Sequence, residues 1–389
     1  MHNVYLCVNV FQFVSVKIGF SDRIEMSLTH IRQMNCDEKS LLSCHHVSSF
    51  FNEKDTPMSR FQVVVTDFIQ PPLDQEQSIL GDIADVTALK AVGESQLRGG
   101  VEEADAIMLY HFISLSAETI RSLKKCKLIV RCGVGYDNVD IHTARELGIP
   151  VANVPDYGSE EVADSAIGMM LTMTRGIHYA NSRLQRNAGA WTYEQVVPLT
   201  RLRGMVFGIV GLGRIGTATA VRAKALGMRV LFYDPYVVDG TDKAIGVERV
   251  ETLDELLALT DVLSTHCLRS SETQHLVNDE TIAKLKPGSY IVNTGRGGVV
   301  DAHAVLRAIE SNHLRAAALD VLEIEPPPAN DPLIAAWRNP DHPAYGRIII
   351  NPHSAFYSEQ GLTDMRTKGS ENCRRALQGK PLRNIVNGL

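Results

Sequence analysis

The stretch that most constrains this chain is Val206–Asp234, VFGIVGLGRIGTATAVRAKALGMRVLFYD. Met205–Val210 is a short apolar run that predicts a strand. Gly211, Gly213 and Gly216 follow as G-x-G-x-x-G. Arg214–Leu226 carries helix formers and stops at Gly227. Arg229–Tyr233 predicts a second strand, and Asp234 at its end lies 23 residues after Gly211. That is close to the spacing of about 20 expected of a dinucleotide fingerprint. Gly211 permits a tight turn, Gly213 lets the backbone approach a pyrophosphate, and Gly216 lets helix and strand pack closely. Arg214, Ile215 and Gly216 open the helix, whose free N–H groups and positive dipole end suit phosphates. Asp234 can accept from both ribose hydroxyls and would repel a 2′-phosphate, which favours NAD over NADP. A lone glycine triplet is weak, but here strand, turn, helix, second strand and terminal acid fall in register.

A chain of 389 residues predicts two domains. With 44% hydrophobic residues and a net charge of −6, it has an ordinary globular composition with no basic excess to hold nucleic acid. No apolar run reaches membrane-spanning length. Seven scattered cysteines without a CxxC pair suit reduced thiols in a cytoplasm better than a disulfide framework or a zinc site. Residues 1–57 differ from the rest. Val14, Val16, Ile18 and Phe20 alternate as in a short strand, and Cys44-His45-His46 lacks a second ligand pair, so no metal is expected. The segment reads as a poorly packed extension, or as sequence upstream of a start at Met58.

From Arg60 the pattern is regular α/β. Strands are expected at Phe61–Thr66, Ile107–Tyr110 and Lys127–Arg131, and helices at Ala117–Lys124, capped by Ser116, and Ile141–Leu147. Ser159 reads as the N-cap of a long, largely apolar helix, Val162–Arg175, with Glu160 and Glu161 at its positive end. After the fingerprint, Thr252 and Glu255 form a capping box. Further strands are expected at Asp261–Thr265, Ser289–Asn293, Ala316–Val321 and Arg347–Asn351, with helices at Asn278–Leu285 and Ala302–Glu310. Pro326–Tyr345 reads as a proline-rich surface loop anchored by Trp337. Such alternation makes doubly wound parallel sheets, in which ligands bind beyond the carboxyl ends of the strands. Arg296, Asp320, Glu325 and His353 all follow strand ends and should converge near the cofactor.

Three of these residues suit hydride transfer to a 2-keto acid. Arg296 offers a planar fork to a carboxylate and a polarised carbonyl. His353 can supply the proton that the keto oxygen needs, because histidine titrates near neutrality. Glu325 can hold the imidazole in one orientation and favour its charged form.

At these residues the sequence resembles the D-isomer-specific 2-hydroxyacid dehydrogenases. The matching stretches are RCGVGYDNVD (131–140), GLGRIG (211–216), VNTGRGGVVD (292–301), ALDVLEIEP (318–326) and NPHSAFYSEQ (351–360). The resemblance implies two doubly wound domains, a Rossmann cofactor domain (159–351) inserted into a flavodoxin-like substrate domain (58–158 plus 352–389). It implies that Arg296 binds substrate, that Glu325 partners His353, and that His353 is the acid/base. Asp320 would meet the nicotinamide amide, with Cys267, Thr294 and Gly295 also against the cofactor. Backbone N–H groups of Val134 and Gly135 would hold the substrate carboxylate. Within the family, MLYHFISLS (108–116), LFYDPYVVDG (231–240) and HSAFYSEQ (353–360) are most similar to the C-terminal binding protein branch of NAD(H)-sensing corepressors and their bacterial relatives. In that branch residues like His111 and Arg131 reach the substrate, and Phe356 stands where a tryptophan packs on it. Phosphoglycerate dehydrogenases share the core motifs. The resemblance also implies a homodimer formed through the cofactor domains. It leaves two expectations, a metabolic NAD-dependent dehydrogenase acting on a D-2-hydroxy acid and a cofactor-sensing binding protein.

Overall fold

The computed structural model describes the backbone of residues 2–7 and 13–18 and all of residues 60–389. The first two segments are strands β1 (His2–Cys7) and β2 (Phe13–Ile18), paired antiparallel with His2 opposite Ile18. The alternation at Val14–Ile18 falls within β2, whereas Cys44, His45 and His46 lie outside the described residues. Residues 60–389 form a separate compact unit.

That unit is built on two parallel sheets. The first contains β3 (Phe61–Val65), β4 (Ala84–Ala88), β5 (Ala106–Leu109), β6 (Ile129–Arg131) and β7 (Val151–Asn153), in the order β4-β3-β5-β6-β7. The second contains β8 (Val206–Val210), β9 (Arg229–Tyr233), β10 (Glu248–Arg249), β11 (Val262–Thr265), β12 (Ser289–Asn293), β13 (Leu314–Leu319) and β14 (Ile348–Ile350), in the order β10-β9-β8-β11-β12-β13-β14. The first order is flavodoxin-like and the second is the doubly wound dinucleotide order with one strand added. β3, β5 and β8 are near-continuous apolar runs, as suits strands covered on both sheet faces. Two apolar layers sandwich the five-stranded sheet, around Val63, Met108 and Val130 on one face and Ile107, Leu109 and Ile129 on the other. Two more sandwich the seven-stranded sheet.

The chain crosses from the first sheet to the second through the helix Ser159–Thr174, which packs on the helix Arg214–Ala225 and on β12 and β13. It returns after β14 and ends in the helix Glu359–Leu377, which lies on the helix Asp74–Leu80 and on β5. There Arg366 makes a two-pronged ion pair with the fully buried Glu76, at 2.7 and 2.6 Å. Beyond it, Val386 donates its N–H to the Val151 carbonyl, and the Asn387 side chain bonds both Val151 and Ile149. A seven-stranded sheet is thus inserted between parts of the chain that build the five-stranded one.

Several local expectations change. Ser159 is not the N-cap. Gly158 takes that place, and the Ser159 hydroxyl is buried without a partner. The helix expected over Asn278–Leu285 is only Asp279–Ile282, with Asn278 as its cap, since Lys286-Pro287-Gly288 interrupts propagation. The segment Pro326–Tyr345 is not all loop. Asp331 caps a helix, Pro332–Arg338, with proline in its favoured first turn, and Trp337 packs on the core of the larger sheet. β4 was not legible because it is an edge strand with only alternate residues buried.

Candidate active site

The loops after the strands of both sheets meet in one cleft, and the cofactor half is built first. Gly211 turns the chain at φ +90°, where a Cβ would lie 2.7 Å from the Cys267 nitrogen. A Cβ on Gly216 would strike the Gly211 carbonyl at 2.1 Å, so only glycine lets this helix seat against β8. A Cβ on Gly213 would meet nothing within 4 Å, so the space over the turn is open. The helix Arg214–Ala225 starts there with no side chain capping it, which leaves its first turn to an anion. Asp234, directly after β9, accepts from the Leu212 N–H at 2.8 Å and from the Tyr236 N–H at 2.9 Å, one on each oxygen. Each oxygen keeps a second acceptor site for a ribose hydroxyl. Ile215, Cys267, Thr294, Gly295 and Asp320 line the adjoining cleft. Two polar atoms in its wall, Thr294 Oγ1 and His266 Nδ1, are buried with no protein partner. An open phosphate turn, a free helix terminus, a terminal carboxylate and orphaned polar atoms together fit a dinucleotide. Burial pushes the Cys267 thiol up to about 11, so it is a neutral group.

The substrate half gathers His111, Arg131, Val134, Arg296, His353 and Phe356 around the same cleft. Arg131 ends β6, His111 lies two residues beyond β5, and Arg296 and His353 each lie three beyond β12 and β14. His353 adopts φ +51°, a left-handed backbone that a histidine enters only when held. Asp320 holds it. The Asp320 carbonyl accepts the His353 N–H at 2.8 Å, and its carboxylate accepts from Ser354 and Ala355 at 3.0–3.1 Å. Burial raises the Asp320 pKa, while those donors oppose the rise. His353 Nδ1 lies 2.7 Å from Glu325 Oε2, and the other Glu325 oxygen accepts the Leu322 N–H at 2.7 Å. The imidazole is therefore fixed through Nδ1, and Nε2 is left for the cleft.

Arg296 comes from the larger sheet and lies on a loop of the smaller one. Its Nε donates to Asp137 Oδ1 at 3.1 Å and its Nη1 to the Gly295 carbonyl at 3.0 Å. A Cβ on Gly135 would sit 1.4 Å from Arg296 Nη2, so the guanidinium lies flat on the Gly135 backbone. Arg131 lies likewise over Gly133, is 7% exposed, and reaches only Asn138 and the Cys132 carbonyl, at 3.3 and 3.4 Å. Neither the Val134 nor the Gly135 N–H donates to a protein acceptor among the described residues. His111 packs on Phe68, Phe356 and His353, with ring centres 4.4, 5.6 and 5.9 Å away. Burial, then Arg131, His353 and Arg296, pushes its pKa down to about 3. Near neutral pH its ring is uncharged.

Of the residues named from the sequence, His111, Arg131, Val134, Ile215, Cys267, Thr294, Gly295, Arg296, Asp320, His353 and Phe356 line this cleft. Glu325 stands behind His353, Gly135 beneath Arg296, and Gly211, Gly213, Arg214 and Asp234 at the cofactor end. Three further residues belong to it. Asp137 orients Arg296, Tyr157 packs on Phe356 with ring centres 6.0 Å apart, and His266 lines the wall. Asp137 sits inside the RCGVGYDNVD motif and His266 one residue past β11, so position alone could have flagged both. No group of three or more metal-binding side chains occurs among the described residues, and no helix there is long and apolar enough to cross a membrane.

Residues 167–355 match the family described as D-isomer specific 2-hydroxyacid dehydrogenase, NAD binding domain. C-terminal-binding protein 1 of Caenorhabditis elegans is 36% identical over 313 residues, 78% of this chain and 42% of that protein. D-3-phosphoglycerate dehydrogenase of Methanocaldococcus jannaschii is 34% identical over 327 residues, 84% of this chain and 59% of that protein. The crystal structure of D-lactate dehydrogenase from Aquifex aeolicus, complexed with NAD and lactic acid, superposes with a TM-score of 0.75 at 28% identity, covering 84% of this chain and 99% of that one. The chain belongs to the D-isomer-specific 2-hydroxyacid dehydrogenase family. It spans less than two thirds of the length of the two curated relatives.

Proposed function

We propose that this protein is an NAD-dependent dehydrogenase that interconverts a 2-keto acid and a D-2-hydroxy acid. The observation that carries the reading is the His353–Glu325 contact of 2.7 Å on the same cleft as Arg296, beside an open dinucleotide turn. Bound NADH supplies the hydride. Arg296 binds and polarises the keto acid, and the free Val134 and Gly135 N–H groups hold its carboxylate. His353 gives its Nε2 proton to the carbonyl oxygen as carbon 2 becomes tetrahedral, and Glu325 steadies the imidazole at Nδ1. In the reverse direction His353 takes that proton back. Asp234 sets the preference for NAD.

The remaining assignments follow the chain's course. Residues 58–158 with 352–389 form the substrate domain, 159–351 the NAD-binding domain, and 1–57 an extension. A cytoplasmic protein is supported by the unpaired thiols among the described residues, Cys126, Cys132, Cys267 and Cys373. A homodimer is supported by the helix Ile177–Gln185, which has no buried residue, and by Trp191 at 90% exposed beside it.

The test is loss of NADH absorbance over a panel of 2-keto acids that includes 3-phosphohydroxypyruvate, the keto partner suggested by the M. jannaschii relative. His353→Asn should cut turnover by roughly a hundred- to ten-thousand-fold while leaving the NADH dissociation constant unchanged. Near-normal turnover in that variant would sink the mechanism. The similarity to C-terminal-binding protein 1 favours a second reading, a cofactor-sensing binding protein. Tight NADH binding without turnover of any keto acid would put it first.

A further inference from the structure

Resting on the dehydrogenase reading, we infer that the substrate is a 2-keto acid with a single carboxylate and an uncharged, apolar side chain. The argument starts from the charges that face the cleft. Its lining holds two guanidiniums, Arg131 and Arg296, and no lysine. Arg296 is paired with Asp137 at 3.1 Å and His353 with Glu325 at 2.7 Å. His111 and His266 are held neutral, with burial the largest cause in each. That leaves Arg131, buried and without a carboxylate within 4 Å among the described residues. A buried charge without a counterion is costly, and the one carboxylate held at the Val134 and Gly135 N–H groups, in the loop over which Arg131 lies, relieves it.

A second anionic group on the substrate finds no second buried cation without a counterion; the one further arginine of the adjoining groove, Arg338, is exposed to water. Beyond the arginines it would meet Val134, Tyr157, Ala355 and Phe356, with Phe68 packed behind Phe356 at 6.4 Å. It would also approach Asp137, Asp320 and Glu325, the carboxylates that already face or back the cleft. An apolar side chain suits the same surroundings. His111, Asp320 and His353 also face an adjoining groove walled by Phe112, Leu322, Pro327, Ile334 and Trp337, with the exposed Arg338 also on it. A branched or lengthened apolar side chain has room there.

The test uses the full chain and NADH with 2-ketopentanoate and 2-ketoglutarate, which share a five-carbon skeleton and differ in a terminal carboxylate. kcat/KM should favour 2-ketopentanoate by about tenfold or more, the scale of leaving a buried polar group unpaired. A dicarboxylate or a phosphorylated keto acid as the best substrate overturns the inference. Calorimetric binding of the same acids to the NAD+-saturated protein gives a readout free of turnover. Tighter binding of 2-ketopentanoate without reduction of any acid keeps the cleft's preference for a single carboxylate with an apolar side chain and removes the dehydrogenase reading. Equal or tighter binding of 2-ketoglutarate, or binding of neither acid, overturns it.

Discussion

Asp234 has two duties in the structure. It ties down the glycine turn through the Leu212 N–H and leaves acceptor sites for a ribose. Asp234→Ala should therefore weaken NADH binding and narrow the gap to NADPH, and it should also loosen the turn itself. Titrations with both cofactors check this, and equal affinities in the unmutated protein would remove Asp234 as the discriminator. His111 and His266 have a different consequence. Burial holds them at about 3 and about 4, below the ordinary 6.5. The unfolded chain binds their protons first, so the stability they contribute is full above about pH 6.5 and falls as pH drops toward about 4. Melting temperatures should decline from about pH 7 to about pH 5, and less steeply in His111→Gln; equal slopes would count against the assignment. Arg296, Glu325 and His353 were legible because each is a chemically apt side chain just after an apolar strand. Asp137 could be flagged by its place in the RCGVGYDNVD motif, but its role could not be read, because that depends on a partner 159 residues away in the chain.

At the level of elements, the loop after β6 is a floor for guanidiniums, and its glycines are the reason. Gly135→Ala would drive a methyl into Arg296, whose guanidinium must lift from the backbone. KM for the keto acid should rise and kcat fall by about tenfold or more, with NADH affinity and melting temperature nearly unchanged. Activity with normal KM in that variant would show that the arginine can bind from another pose. The C-terminal helix supplies a stability counterpart. Arg366→Met would leave Glu76 charged and buried without a partner, which typically costs about 3–5 kcal/mol. Urea unfolding measures it, and a loss under about 1 kcal/mol would mean that water reaches the carboxylate. Strands buried on both faces were readable as apolar runs, as at Ile107–Leu109. Half-exposed β4 and the two-residue β10 were not, because edge strands carry a weak pattern. The helix inside the proline-rich stretch was hidden by its own prolines, although Asp331-Pro332 is a start signal.

Across the whole molecule, the insertion of one sheet into the other was implied only by the resemblance. No periodicity in the chain says that the last helix returns to pack on the first sheet, since that depends on contacts such as Arg366–Glu76, 290 residues apart. The same long-range closure shapes the cleft. Arg296 is carried by the larger sheet, but its aim is set by Asp137 and Gly135 on the smaller one. The arrangement works like a lock with two keys. If the two halves stood apart, the 3.1 Å contact would be lost and the arginine would have no fixed heading. A keto acid wandering past a loaded cofactor would then find hydride without a grip on its carbonyl. Reduction would be confined to the moments when both halves meet, and reducing power would be spared from substrates too large to let them do so.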